Sequence, residues 1–199
     1  MREATRYPGY STLAKRDTPS WNDASRKAID KRVFDPPERR FFTPDEFALV
    51  EALCDRIIPQ TSAKRVPIAN YIDHKMHTNE TDGMQKEGEP QMQEVWRRGL
   101  RGLDAEARIR FGAPFRELSG GRQDDVISAI QKGEVRAPEW QRISAESFFK
   151  SRALHDIVTY YYGHPFGWDE IGFGGPASPR GYVRMGFDRR DPWDAVERK

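Results

Sequence analysis

The sequence predicts an all-α protein: an irregular bundle of about five helices, with an extended N-terminal arm and a Gly/Pro/aromatic-rich C-terminal wrap. Three observations carry this reading. Apolar residues in the middle of the chain recur at three- and four-residue spacing, as on one face of a helix. Glycines and prolines fall where these periodic stretches stop. No strand pattern of useful length and no internal repeat is present. The 199 residues divide into an arm over 1–40, a helical domain over 41–162 and an irregular wrap over 163–199. That length suffices for one domain with a real core.

The arm is punctuated by Pro8, Gly9, Pro19, Pro36 and Pro37, and its apolar periodicity is weak. A short helix fits around Asn22–Arg32. Tyr7, Tyr10, Trp21 and Phe34 are spaced as scattered anchors, which suits an arm lying on a surface. The first strong helix starts at Thr43, which can cap it. Pro44 suits the first helical position, and Glu46 completes a capping box. Phe47, Val50, Cys54 and Ile57 form its apolar stripe, with Leu53 and Ile58 beside them. Pro59 ends it.

A second helix follows Pro67, with Ile68, Tyr71, Ile72, Lys75 and Met76 at helical spacing. A polar loop over about His77–Glu89 leads to a third helix over about Pro90–Phe111. Gly99 and Gly102 inside it either weaken it or permit close packing. Gly112-Ala113-Pro114 breaks the chain. A fourth helix covers about Arg122–Lys132, closed by Gly133. The fifth is predicted to be long, about Pro138–Tyr162, and Gly163 and Pro165 stop it.

Apolar residues make up 37% of the chain and charged residues 32%. The net charge of +2 argues against a dedicated nucleic-acid binder. The basic excess is local: residues 1–42 hold ten Lys/Arg against six Asp/Glu, which suits a solvated arm. No apolar run is long enough to span a membrane. The first residues lack a signal peptide's apolar core. Arg39-Arg40-Phe41-Phe42 superficially resembles a twin-arginine export signal, but an amphipathic helix follows it. The expected location is cytoplasmic, or periplasmic if the chain is exported with a partner.

The catalytic inventory is thin. Cys54 is the lone cysteine, so no intrachain disulfide or thiolate cluster forms, and its place in an apolar stripe suits a buried inert thiol. His74 and His77 are three apart, but no Glu-x-x-His accompanies them. His155-Asp156 and His164 lie close in sequence, yet no nucleophile elbow is present. Ser119-Gly120-Gly121-Arg122 lacks a phosphate loop's Gly-Lys-Ser/Thr and reads as the start of a helix. No catalytic, cofactor-binding or metal-ligating residue is assigned. The competing reading is a stand-alone helical enzyme, hydrolase-like, using His155 or His164.

Tyr160–Met185 carries large apolar side chains in a stretch too rich in Gly and Pro for regular structure. Such a segment must bury them against its own helices or against another protein. Tyr, Trp and Arg most often anchor interfaces. The candidates for a partner interface are therefore Tyr162, Phe166, Trp168, Phe173, Arg180, Tyr182 and Arg184.

Five blocks carry a family resemblance: FFTPDEFALVEALCDRIIP, VPIANYID, FRELSGGRQDDVISAIQKGE, FFKSRALHDIVTYYYGHP and GWDEIGFGGPASPRGY. In this order, over about 41–185, they resemble the gluconate 2-dehydrogenase subunit 3 family. The resemblance implies a small non-catalytic subunit that supports folding and stability of a large one. That large subunit resembles glucose–methanol–choline oxidoreductases, holds FAD and oxidises a sugar or polyol. A cytochrome c subunit often accepts the electrons. The resemblance implies no cofactor on this chain. The small subunit carries the export signal in many members, and the start of this sequence departs from that pattern.

Overall fold

The computed structural model describes residues 6–61, 64–83, 90–177, 181 and 184–198. Among them every regular element is helical, as the periodicity predicts. The chain forms two compact units. One comprises the described residues of Met1–Pro36, Ser62–Val66 and Tyr160–Lys199; the other comprises those of Pro37–Thr61 and Pro67–Thr159.

The larger unit is built around a central helix. Helix α2 (Pro44–Ile57) opens with the predicted capping box: Thr43 Oγ1 accepts from the Glu46 N–H at 3.2 Å, and Glu46 Oε2 accepts from the Thr43 N–H at 2.9 Å. Its buried face is centred on Leu49, Val50, Leu53 and Cys54, so Phe47 and Ile57 lie on the flanks. Helix α3 (Ile68–Thr78) packs on α2 and ends at Asn79, which is left-handed at φ 55°. Helix α4 (Met92–Phe111) packs against α2, against α5 (Gly120–Lys132) and against the segments that follow α5. Gly112 and Gly133, both with positive φ, close α4 and α5.

The predicted long fifth helix is not one helix. A 3₁₀ turn, Pro138–Arg142, comes first, and Ile143 is extended. Ser144 Oγ then caps a new start by accepting from the Ser147 N–H at 3.2 Å. Helix α6 (Ala145–Phe148), a π-helical stretch (Phe149–Leu154) and α7 (His155–Tyr162) follow without a gap. The π turn re-phases the buried face, which runs through Phe148, Phe149, Ala153, Asp156 and Ile157.

Gly99 and Gly102 permit close packing rather than marking weakness. A Cβ on Gly99 would lie 2.2 Å from the Phe148 ring, and one on Gly102 would lie 2.5 Å from the Trp140 indole. The rings rest on the α4 backbone. Phe42, Trp96, Phe148 and Trp140 continue as a chain of neighbouring rings at 6.1, 5.7 and 5.8 Å between centroids.

Three buried carboxylates tie elements distant in sequence together. Asp73 on α3 accepts from three successive backbone N–H groups: Arg40 at 2.5 Å, Phe41 at 3.0 Å and Phe42 at 2.8 Å. The Arg39-Arg40-Phe41-Phe42 segment is thereby built into the fold, and Arg39 also donates to the Phe42 carbonyl at 2.6 Å. Glu106 on α4 accepts from the Arg136 N–H, from the Ala137 N–H at 2.6 Å and from Arg110 Nε at 3.0 Å. Asp156 on α7 accepts from Lys75 Nζ at 2.7 Å and from Trp96 Nε1 at 2.9 Å. Each is fully hydrogen-bonded in the sense that burial demands.

The smaller unit holds α1 (Asp23–Phe34) and α8 (Pro165–Ile171). Asn22 caps α1 by accepting from the Ser25 N–H at 2.9 Å. The C-terminal segment was expected to be irregular from Gly163 onward, but α8 forms within it. Its start is His164, whose Nδ1 accepts from the Phe166 N–H at 3.2 Å, followed by Pro165 at the first helical position. Its end is Gly172 at φ 68°. The same glycines and prolines that argue against a long helix delimit a short one. Among the described residues, no helix is long and apolar enough to cross a membrane.

Candidate partner interface

The N-terminal arm holds the C-terminal segment through specific bonds. Tyr10 Oη and Thr12 Oγ1 each donate to the Phe173 carbonyl at 3.0 Å. The Thr12 N–H donates to Asp169 Oδ1 at 2.6 Å, and Lys15 Nζ donates to the Gly174 carbonyl at 2.6 Å. Arg32 donates to the Gly163 carbonyl. Trp168 is buried in a cluster with Trp21 and Ile29, flanked by Leu13 and Val33. Its indole N–H donates to the Tyr162 carbonyl at 2.6 Å. Gly172 lies against the Tyr7 ring, where a Cβ would come within 2.6 Å.

The predicted interface residues thus separate. Trp168 is spent on its own chain. Phe173 stacks edge-on against it at 5.5 Å and stays 41% exposed, Tyr162 offers it a carbonyl and keeps its own ring exposed, and Phe166 is half-buried beside the His164 ring. Arg184 is exposed, 3.5 Å from Asp194 Oδ2, and shares a polar cleft of about 370 Å³ with Tyr7, Tyr10 and Lys15. Arg180 and Tyr182 lie outside the described residues.

Sequence reasoning did not single out Met185, Phe187 and Val196, which are all exposed, Phe187 fully so; Phe34, read as an arm anchor, and Ile171 are exposed as well. Phe187 lies on a turn that is held in place. The buried Asp191 accepts from the Met185 N–H at 2.8 Å and donates its own N–H to Asp194 Oδ2 at 3.1 Å. The available signal was a phenylalanine between Gly186 and the charged run Asp188-Arg189-Arg190. Of the exposed large apolar side chains among the described residues, all but Ile109 belong to this smaller unit.

The histidines considered for catalysis have other surroundings. His164 is buried and serves as the α8 cap; burial holds its imidazole down from 6.5 to about 4. That makes Nδ1 an acceptor for a backbone N–H, which occupies the atom a general base would use. His155 is exposed at the start of α7, with ligand atoms within 4.8 Å of the Asp82 and Asp156 carboxylates. This grouping joins residues far apart in sequence and was not foreseen. Lys75 Nζ already lies between the two carboxylates, 2.5 Å from Asp82 and 2.7 Å from Asp156. Asp156 therefore spends its charge on Lys75 and Trp96 rather than on orienting His155. His74 and His77 are exposed and join no cluster of three metal-ligating side chains among the described residues. Burial pushes the Cys54 thiol far above its ordinary range, so it stays protonated.

Against this geometry, the model of the gluconate 2-dehydrogenase subunit 3 family matches residues 44–175. The chain belongs to that family. No curated protein and no solved structure matches it. A gluconate 2-dehydrogenase subunit 3 protein is a subunit of a dehydrogenase complex. The matched span begins at the first residue of α2 and ends at Gly175, just past α8. Met185, Phe187 and Val196 follow it.

Proposed function

We propose that this chain is the small, non-catalytic subunit that binds, folds and stabilises an FAD-dependent, glucose–methanol–choline-like sugar or polyol dehydrogenase. The FAD and the chemistry belong to the large subunit, and in such complexes a cytochrome c subunit often takes the electrons. One observation carries the reading beyond family membership: exposed apolar side chains concentrate in the unit built from the arm and the C-terminal segment. They range from 40% exposure at Tyr162 to full exposure at Phe187, with Phe34, Ile171, Phe173, Met185 and Val196 between. Scattered single apolar residues on a surface are ordinary, but their concentration in one unit supports a contact surface there. The surface is preorganised, because Trp168 and the Asp191 turn are fixed within the chain. Less conformational freedom is then lost on association.

The experiment is co-expression with the FAD subunit, comparing wild type with Phe187→Ser and Met185→Ser. Both side chains are exposed, so the variants should fold and melt like wild type. The reading predicts that each lowers the yield of soluble, FAD-loaded dehydrogenase. Full recovery with both residues changed together would argue against it.

A further inference from the structure

The larger unit carries a cleft of about 700 Å³ that the proposed interface does not use. Its floor is apolar, made by Leu49 of α2 and by Leu100 and Ala105 of α4. Its walls are charged, with five carboxylates against three guanidiniums. Several of these charges are already matched. Asp104 pairs with Arg108 at 2.9 Å, Arg116 lies 3.9 Å from Asp45, and Glu46 lies 3.6 Å from Arg97, which is outside the cleft.

Glu139 is different. It lines the cleft from the 3₁₀ turn as a half-buried residue, and its Oε2 is sheltered from solvent with no hydrogen-bond partner among the described residues. A buried carboxylate oxygen left unpaired is costly, and in native structures such an atom calls for a missing partner. The terminal torsion of a glutamate is broad, so the carboxylate can turn that oxygen toward a donor entering the cleft.

An apolar floor leading to an unpaired carboxylate suits a long cationic side chain. The stem covers the leucines while the head reaches the charge. A planar guanidinium fits a carboxylate better than an ammonium does, because it donates two parallel bonds. We infer that this cleft receives an arginine of the dehydrogenase large subunit, which makes it a second docking point besides the apolar surface. The inference rests on the proposed function for the identity of the partner.

The test is retention of the co-expressed large subunit on the tagged chain across a salt series. Glu139→Gln is isosteric and should fold; it should weaken retention about tenfold or more and flatten its salt dependence. Ala105→Phe narrows the cleft while keeping the Glu139 charge and should weaken retention as well. Unchanged retention and salt dependence in both variants would overturn the inference while leaving the proposed function standing. A wild-type chain that retains no dehydrogenase would remove both. One further result would overturn it. If Glu139→Gln lowers the melting temperature of the isolated chain, and Arg101→Ala abolishes that difference, then Glu139 serves its own Arg101. Loss of self-association instead of partner binding would name a second copy as occupant and equally overturn it.

Discussion

Lys75 Nζ lies 2.7 Å from Asp156 Oδ1, and both side chains are almost wholly buried. Trp96 completes the node by donating to the other Asp156 oxygen. Removing one partner leaves an uncompensated charge in the core, which costs about 3–5 kcal/mol. Lys75→Met should therefore destabilise the chain by about that amount. Lys75→Met with Asp156→Leu should recover part of it, because the isolated charge is gone. Urea unfolding of the three variants measures this. Equal stability of Lys75→Met and wild type would show that the pair is not closed in solution.

Asp73 clamps the loop that leads into α2 by accepting the N–H groups of Arg40, Phe41 and Phe42. An asparagine keeps the shape but loses the charge and one acceptor. Asp73→Asn should cost about 2–3 kcal/mol, in the range of hydrogen bonds to charged groups. Amide exchange at Phe42, which is buried, should accelerate along with it.

Gly99 is in contact with the Phe148 ring where a Cβ would stand 2.2 Å away. In an exposed helix, Gly→Ala stabilises, since alanine is the better helix former. Here overpacking wins, and Gly99→Ala should destabilise by about 1–3 kcal/mol. Gly121→Ala in α5 is the control, because nothing lies near its added Cβ. The two substitutions should shift the melting temperature in opposite directions.

His164 gives the chain an acid limit. Its imidazole is held down to about 4 in the folded state against 6.5 when free, chiefly by burial. Between these values the unfolded chain binds a proton that the folded chain refuses. Stability is therefore complete above about pH 6.5 and falls as pH drops toward 4. The slope from this group is at most about 1.4 kcal/mol per pH unit. A protonated Nδ1 also cannot accept from the Phe166 N–H, so the α8 cap opens. His164→Asn retains a capping oxygen and should flatten the decline. Unfolding followed by tryptophan fluorescence at a series of pH values reads both effects.

Much of the fold is legible because its signals are local. Thr43 and Glu46 specify the α2 start through atoms three residues apart, and Gly112 and Gly133 supply the left-handed ends of α4 and α5. The buried acids were half legible. Asp73 beside Ile72 and Met76, Glu106 beside Leu103 and Ala107, and Asp156 beside Ala153 and Ile157 all stand on apolar faces. A polar residue in such a stripe announces a partner, but not which one. Apart from Arg110, one turn from Glu106, their partners lie 30 to 81 residues away in sequence. The break near Ile143 was hidden because Pro138 can open a helix or a 3₁₀ turn alike, and Ser144 can stand inside a helix or cap a new one.

Residues that are neighbours along the chain were enough to specify α2 to α5, the Thr43 capping box, the Gly133 end and the family. The sequence also showed that Tyr160–Met185 holds apolar side chains in need of cover. Only the tertiary structure decided which of them stay exposed. Trp168 meets Trp21 and Ile29 across more than a hundred residues of chain, while Phe187 stands clear on a turn fixed by Asp191. Burial is a property of three-dimensional neighbours, and composition cannot assign it to one aromatic rather than another.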